Sequence, residues 1–379
     1  MPIVMRIYLD NNATTAIDPG VLDVLGKSLR DVFGNASSIH KEGQTARRTI
    51  EDARESVALL LRATAREVIF TSGGTESNNA AIFGAVSRGD GCHIVTSAIE
   101  HPSVAEAVRT LEQRGCAVTR VMPSRDGVVD AAEVIEAIRP ETKLVTVMMA
   151  NNETGVVQPV SAIGAATRER GVHFHVDAVQ AAGKLAIDVT ELGCDTLAVS
   201  AHKMHAPKGI GALYVRRGVT MAAHIVGGAQ ERRRRAGTEN VPLAAAFGAA
   251  AALPNAAAQM AALRDRFEAR IAAMPAVTFN GANVARIPNT SNMTFHGADG
   301  EGIVIALDLS GVAVSTGSAC SSGRVEPSPV LLAMGLSPDD ARATVRFSLS
   351  RFTTEEEIDR VAELVGELVP RCVRQATRE

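Results

Sequence analysis

The apolar positions of the chain gather into seven short runs, "EVIFTS" (67–72), "HIVTSA" (93–98), "AVTRVM" (117–122), "KLVTVMMA" (143–150), "HFHVDA" (173–178), "TLAVSA" (196–201) and "GALYVR" (211–216). Amphipathic stretches such as "ESNNAAIFGAVSR" and "VSAIGAATRERG" separate them. Strand-length apolar runs alternating with helix-length amphipathic segments predict an α/β unit, a mainly parallel sheet covered by helices. From about residue 241 the text turns to alanine-rich "PLAAAFGAAAALPNAAAQMAALRDRFEARIAAM". Alanine is the best helix former, so this stretch predicts a connecting helix rather than a linker. A smaller α+β pattern follows in "NTSNMTFHG", "EGIVIALDL", "GVAVST" and "ATVRFSLS", with a final helix from about 353. The change near 255 divides the chain into a large unit over 15–255 and a small one made of 1–14 and 256–379. No internal repeat is visible.

Ligands of open α/β sheets sit at the carboxyl ends of the strands. The residues just past the runs are "GGTESNN", "IEHPS", "NNETG", Asp177 to Gln180 and "HKMH". Together they bring a glycine-rich turn, a histidine, an asparagine, a carboxylate, a glutamine and a lysine to one edge. The turn Gly73-Gly74-Thr75, entering a helix, lets backbone N–H groups approach a phosphate, although most such pairs are simply turns. Asp177 ends an apolar strand, where a carboxylate is costly without a cation. It reads either as a helix N-cap or as the partner of a protonated pyridine nitrogen. Lys203 lies between His202 and His205. It is either a surface lysine or, depressed in pKa by burial and neighbouring positive charge, one suited to Schiff-base chemistry.

Composition narrows the class. The chain has 379 residues, 46% hydrophobic and 21% charged, with a formal net charge of −3. That balance excludes a disordered chain or a nucleic-acid polycation, and the length suggests two to three domains. Arg232 to Arg235 form a basic run without aromatic interleaving, which reads as the border of a phosphate site and dimer seam rather than a nucleic-acid surface. Five cysteines (92, 116, 194, 320 and 372), with no CxxC pair, suit neither a disulfide framework nor a structural zinc site. The expected compartment is therefore reducing. With no signal-like start and no membrane-length apolar stretch, the expectation is a cytoplasmic protein with no membrane partner. Cys92, Cys116, Cys194 and Cys372 read as small buried hydrophobes. Cys320 differs, because "STGSACSSGRVEPS" (315–328) is poor core and good loop.

The strings "YLDNNATT", "FTSGGTESNN", "EHPSV", "NNETGVVQP", "HVDAVQAAGK", "SAHKMHAPKGIGALY", "RRRAGTENV", "STGSACSSG" and "RFSLSRFTTEEEID" run in unbroken order from residue 8 to about 360. In them the chain resembles the cysteine desulfurases of the NifS/IscS type, in the class V aminotransferase superfamily of fold-type I pyridoxal-phosphate enzymes. The resemblance implies a seven-stranded, mainly parallel sheet in a large domain and a smaller α+β domain. It implies that Lys203 forms the Schiff base with pyridoxal 5'-phosphate and Asp177 holds the ring nitrogen protonated. His101 would stack on the ring and shuttle protons, and Asn152 and Gln180 would bond its hydroxyl. Gly74, Thr75, Ser200 and His202 would hold the phosphate, joined by Thr238 from the other subunit of a homodimer. Arg346 would bind the carboxylate of L-cysteine, with Asn35 a further candidate for that pocket. His205 is left as a structural residue.

An exposed loop thiol can attack the substrate's sulfur as a thiolate and leave carrying it. The resemblance therefore implies that Cys320 takes sulfur from L-cysteine as a persulfide, with L-alanine released. The sulfur would pass to an iron–sulfur scaffold protein, with a transient iron–sulfur cluster able to assemble at Cys320. "AGTENV" and a short segment after the final helix favour the nitrogen-fixation type. Rival readings are a selenocysteine lyase, another class V aminotransferase and a non-catalytic scaffold. Cys320 argues against simple transamination, and the presence of both Lys203 and Asp177 argues against the scaffold. Ala206 and Ala229 stand where the family has glycine, which puts local loop geometry in question.

Overall fold

The computed structural model describes residues 6–86, 91–316 and 326–373. Its strands are β1 (Ile7–Tyr8), β2 (Val68–Thr71), β3 (His93–Ser97), β4 (Ala117–Val121), β5 (Thr142–Met148), β6 (His173–Asp177), β7 (Thr196–Ser200), β8 (Gly211–Val215), β9 (Val277–Phe279), β10 (Thr290–Phe295), β11 (Val312–Ala313) and β12 (Thr344–Ser348). The seven apolar runs become the seven strands of one sheet in the order β2-β8-β7-β6-β5-β3-β4. All are parallel except β8, which runs antiparallel to both β2 and β7. β2, β3, β6, β7 and β8 are almost wholly buried, as expected of strands covered on both faces. Edge strand β4 is the half-exposed exception.

Helices between the strands have local causes. Helix Pro102–Gln113 begins with His101 as N-cap and proline in its first turn. Helix Val160–Arg170 ends at Gly171, whose φ of 66° supplies a left-handed cap. The main hydrophobic cluster covers one face of this sheet around Val145, Phe174, Leu197 and Phe247, and two smaller clusters, around Ile94 and Leu144 and around Ile69 and Leu213, cover the other. A second cluster gathers Leu9, Phe267, Phe295, Phe347 and Val361 around the antiparallel sheet β12-β10-β9 and the parallel pair β1-β11. The smaller domain thus takes its first strand from the start of the chain and the rest from its end.

Two expectations need correction. The alanine-rich stretch is two helices, Val241–Ala251 and Ala257–Ile271, because Leu253-Pro254 interrupts it. Gly248 of the first lies so close to helix Lys41–Leu60 that an added Cβ would meet the Ala53 Cα at 2.6 Å. Phe267 of the second packs in the other cluster. The cysteine pattern also misled: Cys92 and Cys116 form a disulfide with Cα atoms 4.9 Å apart. They immediately precede neighbouring parallel strands β3 and β4, where Ala117 N–H donates to Cys92 O at 2.8 Å. Strand register brings together two residues that spacing along the chain keeps apart. Cys194 is a buried free thiol and Cys372 a partly buried one.

The two alanines in glycine-like positions cause no backbone strain. Neither has positive φ, and Ala206 is buried. His205 takes the left-handed conformation instead, with φ of 63°. Among the described residues, no helix is long and apolar enough to cross a membrane.

Candidate active site

Five parallel strands deliver their following residues to one edge of the sheet. β2 leads into Gly74 and Thr75, β3 into His101, β5 into Asn152, β6 ends on Asp177 and β7 leads through Ser200 to Lys203. A cavity of about 420 Å³ opens there, lined by Gly74, Thr75, His101, Asn152, Asp177, Gln180, Ser200, His202 and Lys203. The smaller domain closes it with Arg346 of β12 and Ser315, and the N-terminal segment adds Asn12 and Ala13. Bridges Asp10↔Ser348 and Ser315↔Arg346 hold these pieces side by side.

Asp177 is buried, but its carboxylate is held by two donors, Asn78 Nδ2 to Oδ2 at 2.7 Å and Val179 N–H to Oδ1 at 2.9 Å. Lys203 Nζ donates to the carbonyls of Asn12 and Ala13, the latter at 2.7 Å. Burial, reinforced by Arg346 and opposed by Asp10 and Asp177, pushes the Lys203 pKa down to about 8. Its amine thus loses its proton far more readily than an ordinary lysine. Desolvation also lowers the His101 imidazole, with Asp177 opposing and Lys203 adding to the effect. His202 falls to about 4 through burial and the neighbouring Lys203, Lys208 and Lys184. It therefore stands neutral, with Nδ1 3.2 Å from Thr14 Oγ1.

Arg346 spends one terminal nitrogen on Asp10 Oδ1 (2.6 Å) and the other on the Asn152 carbonyl (3.0 Å). Its Nε is buried without a partner. A buried guanidinium N–H facing no acceptor is a binding capacity left over for an anion.

The donor set fits pyridoxal phosphate. Helix Gly74–Ala85 starts on Gly73 without any side-chain cap, leaving its first N–H groups free for a phosphate. Gly74 fits closely there, since an added Cβ would lie 2.8 Å from Val179 Cγ2 and push that side chain aside. Asp177 would supply an anion for the ring nitrogen, and Lys203 offers a readily deprotonated amine.

Two expected site residues are not brought to this cavity within the chain, and a third lies outside the described residues. Asn35 is exposed in the turn before helix Lys41–Leu60, its Oδ1 accepting from Ser37 N–H and Oγ. Thr238 lies in a separate hollow with Phe70, Thr71 and Glu239. Cys320 lies outside the described residues, as does the cluster expected on it. Among the described residues no group of His, Cys, Asp and Glu could hold a metal ion. His205 is tied to Thr15 Oγ1 and the Ala16 carbonyl and packs edge-on against Phe352.

The structure adds residues that sequence reasoning left without a role. Asn12, fully buried, accepts from Gln180 Nε2 and Lys203 at its carbonyl and reaches Thr290 Oγ1 with its side chain. Lys184 donates to Gln180 Oε1 at 2.8 Å and is pushed down to about 7 by burial, Lys203 and Arg346. Its position, four residues after Gln180 in a turn, carries no such signal in the sequence. Glu100, next to His101, is pushed up to about 8 by burial, against the opposing bonds from Ser97 and Met148 N–H.

The chain matches the aminotransferase class-V family over residues 7–361. A cysteine desulfurase of Nostoc sp. is 47% identical over 372 residues, covering 96% of this chain and 93% of that protein. Cysteine desulfurase IscS of Anaeromyxobacter dehalogenans is 46% identical, covering 96% and 92%. Among solved structures, a NifS-like protein superposes with a TM-score of 0.89 at 34% identity, over 97% of this chain and 100% of that one. SspA in complex with cysteine gives 0.83 at 38% identity, over 92% and 100%. With a family match across nearly its whole length and a pyridoxal-phosphate donor set in one cavity, the chain belongs to the class V aminotransferases, as a cysteine desulfurase.

Proposed function

We propose that this enzyme removes sulfur from L-cysteine onto Cys320 and releases L-alanine, using the 420 Å³ cavity as its reaction chamber. The convergence of Lys203, Asp177, His101 and Arg346 on that cavity is the observation that carries the reading. Bound pyridoxal phosphate supplies an electron-withdrawing ring that acidifies the substrate α-carbon and weakens its C–S bond. Gly74, Thr75, Ser200 and His202 would hold its phosphate, Asp177 would pair with its ring nitrogen, and Asn152 and Gln180 would bond its ring hydroxyl. The substrate carboxylate binds Arg346, whose unpartnered Nε supports that role. The SspA structure in complex with cysteine supports the same substrate here.

Lys203, with its lowered pKa, takes the α-proton and returns protons to carbon. His101, which lines the same cavity, would exchange protons there. Cys320 is five residues beyond Ser315, which lines the cavity, so the connecting chain is at most about 18 Å long when fully extended. Its thiolate attacks the substrate sulfur. The new S–S bond forms as the C–S bond breaks, the electron pair stays on carbon, and protonation there completes L-alanine.

The enzyme works as a homodimer in this reading. Thr238, away from its own cavity, serves the partner's phosphate, and exposed Leu29 and Phe33 near helix Pro19–Asp31 supply apolar surface. The Cys320 persulfide hands sulfur to an iron–sulfur scaffold protein, or builds a transient cluster in place. The likeness to a NifS-like protein supports the nitrogen-fixation branch.

The test is alanine and sulfide release from L-cysteine with a thiol reductant, for wild type and Cys320→Ala, while recording the cofactor absorbance. Equal amounts of both products in wild type, with turnover lost but the cofactor band kept in the variant, is the expected result. Undiminished turnover by the variant would overturn the persulfide route.

A further inference from the structure

Along the cavity wall runs a hydrogen-bond network, through Asn78, Asp177, Ser103 and His101, whose direction can be read from one end. Asn78, buried to 1% exposure, stands within 2.7 Å of Asp177 Oδ2 and 2.8 Å of Ser103 Oγ, and its other side-chain atom is 3.0 Å from His175 Nε2. A carboxylate accepts only, so the Asn78 nitrogen faces Asp177 and donates. Its second hydrogen goes to Ser103 Oγ, and Asn78 Oδ1 must then accept from His175 Nε2–H. His175 Nδ1 is left as an acceptor for Thr196 Oγ1 at 3.0 Å. Ser103 Oγ, already accepting from Asn78, has one hydrogen left, and it points to His101 Nδ1 at 2.7 Å. The Ser103 backbone N–H also donates to that nitrogen, at 3.1 Å.

We propose that Asn78 is a positioning residue for His101: it carries the polarity of the Asp177 carboxylate through the Ser103 hydroxyl and confines the imidazole proton to Nε2. With Nδ1 occupied by two donors, Nε2 is the ring position through which His101 exchanges a proton. The charged groups acting on the ring are Asp177 and Lys203, of opposite sign. His175, on the far side of Asn78, is neutral, pushed down to about 3 by burial and by His173. The relay therefore contains one fixed charge, Asp177, and that charge sets its direction.

The role of this proton in the reaction rests on His101 facing the cofactor as proposed above. Its position does not, since it follows from contacts within the chain. The test is nitrogen NMR of the full-length protein with ¹⁵N-labelled histidine, first without cofactor and then reconstituted, with the His101 signals assigned by their loss in His101→Gln. Wild type should show Nδ1 unprotonated and Nε2 protonated in the neutral ring. Asn78→Ala should lower that tautomer preference by about fivefold, the equivalent of one hydrogen bond. Ser103→Ala, which removes only the last link, should do the same and decides the matter if Asn78→Ala does not fold. A protonated Nδ1 in neutral wild type, or an unchanged tautomer ratio in Ser103→Ala, would overturn the proposal while leaving the desulfurase reading intact.

Discussion

Replacing Lys184 with methionine separates a buried charge from a hydrogen bond by their different dependence on pH. Lys184 is 6% exposed and donates to two amide oxygens, Gln180 Oε1 at 2.8 Å and Asn12 Oδ1 at 3.4 Å, without a carboxylate between them. Burial, then Lys203 and Arg346, moves its pKa from 10.5 to about 7. Between those values the unfolded chain binds more protons than the folded one, so stability rises with pH there. The cost of burying Lys184 is fully present below the folded value and vanishes as pH climbs to the unfolded value. At about 1.36 kcal/mol per unit, the full cost is about 5 kcal/mol. About 3 kcal/mol of it disappears between about pH 6 and about pH 9. Methionine has no such titration, but it leaves Gln180 Oε1 without its donor, a loss of about 1–3 kcal/mol that pH does not change. Urea unfolding of the cofactor-free chain, wild type against Lys184→Met, should therefore show the variant gaining about 3 kcal/mol more, relative to wild type, at the lower pH. A difference that stays constant across that range would refute the assignment of a depressed lysine.

Arg54→Leu removes the bidentate partner of Glu231, bonded at 2.6 and 2.9 Å with both side chains buried. The stranded carboxylate should cost about 3–5 kcal/mol in thermal or urea unfolding, largely recovered when Glu231→Leu is added. Arg346→Lys keeps the charge but not the planar fork, and should lower kcat/KM for L-cysteine by about tenfold or more, mainly through KM, with the cofactor absorbance unchanged. Cys92→Ser should lower stability by about 2–4 kcal/mol when wild type is oxidised, and the gap should close when wild type is measured in a thiol reductant. Intact-mass analysis of the wild type under both conditions checks that the bond is present.

What was legible in the sequence follows from where each constraint resides. The seven sheet strands could be read because most are buried on both faces, so runs such as "TLAVSA" and "HIVTSA" keep aliphatic centres and carry no Asp, Glu, Lys or Arg. Strand direction left no such trace: the antiparallel β8 reads like its parallel neighbours, because a doubly buried strand has the same composition either way. The site was legible as far as strand ends predict it, since Asp177 and Lys203 follow directly from where β6 and β7 stop. The supporting polar network was not. Asn78 lies 99 residues from Asp177, Asn12 lies 172 from Lys184, and Cys92 meets Cys116 only through the pairing of β3 with β4.

Those unread contacts share a cause. Each joins two groups whose residue types are ordinary where they stand, an asparagine in a helix or a lysine after a glycine, and become informative only once burial removes water as the alternative partner. Asn78 shows the consequence most directly. In solution its amide could turn either way; beside a buried carboxylate it has one orientation, and that orientation is transmitted through Ser103 to the ring nitrogen of His101. Chemistry at the cavity is thus set by two groups: strand-end residues that sequence places, and buried polar partners beside them whose hydrogen-bond direction the fold imposes.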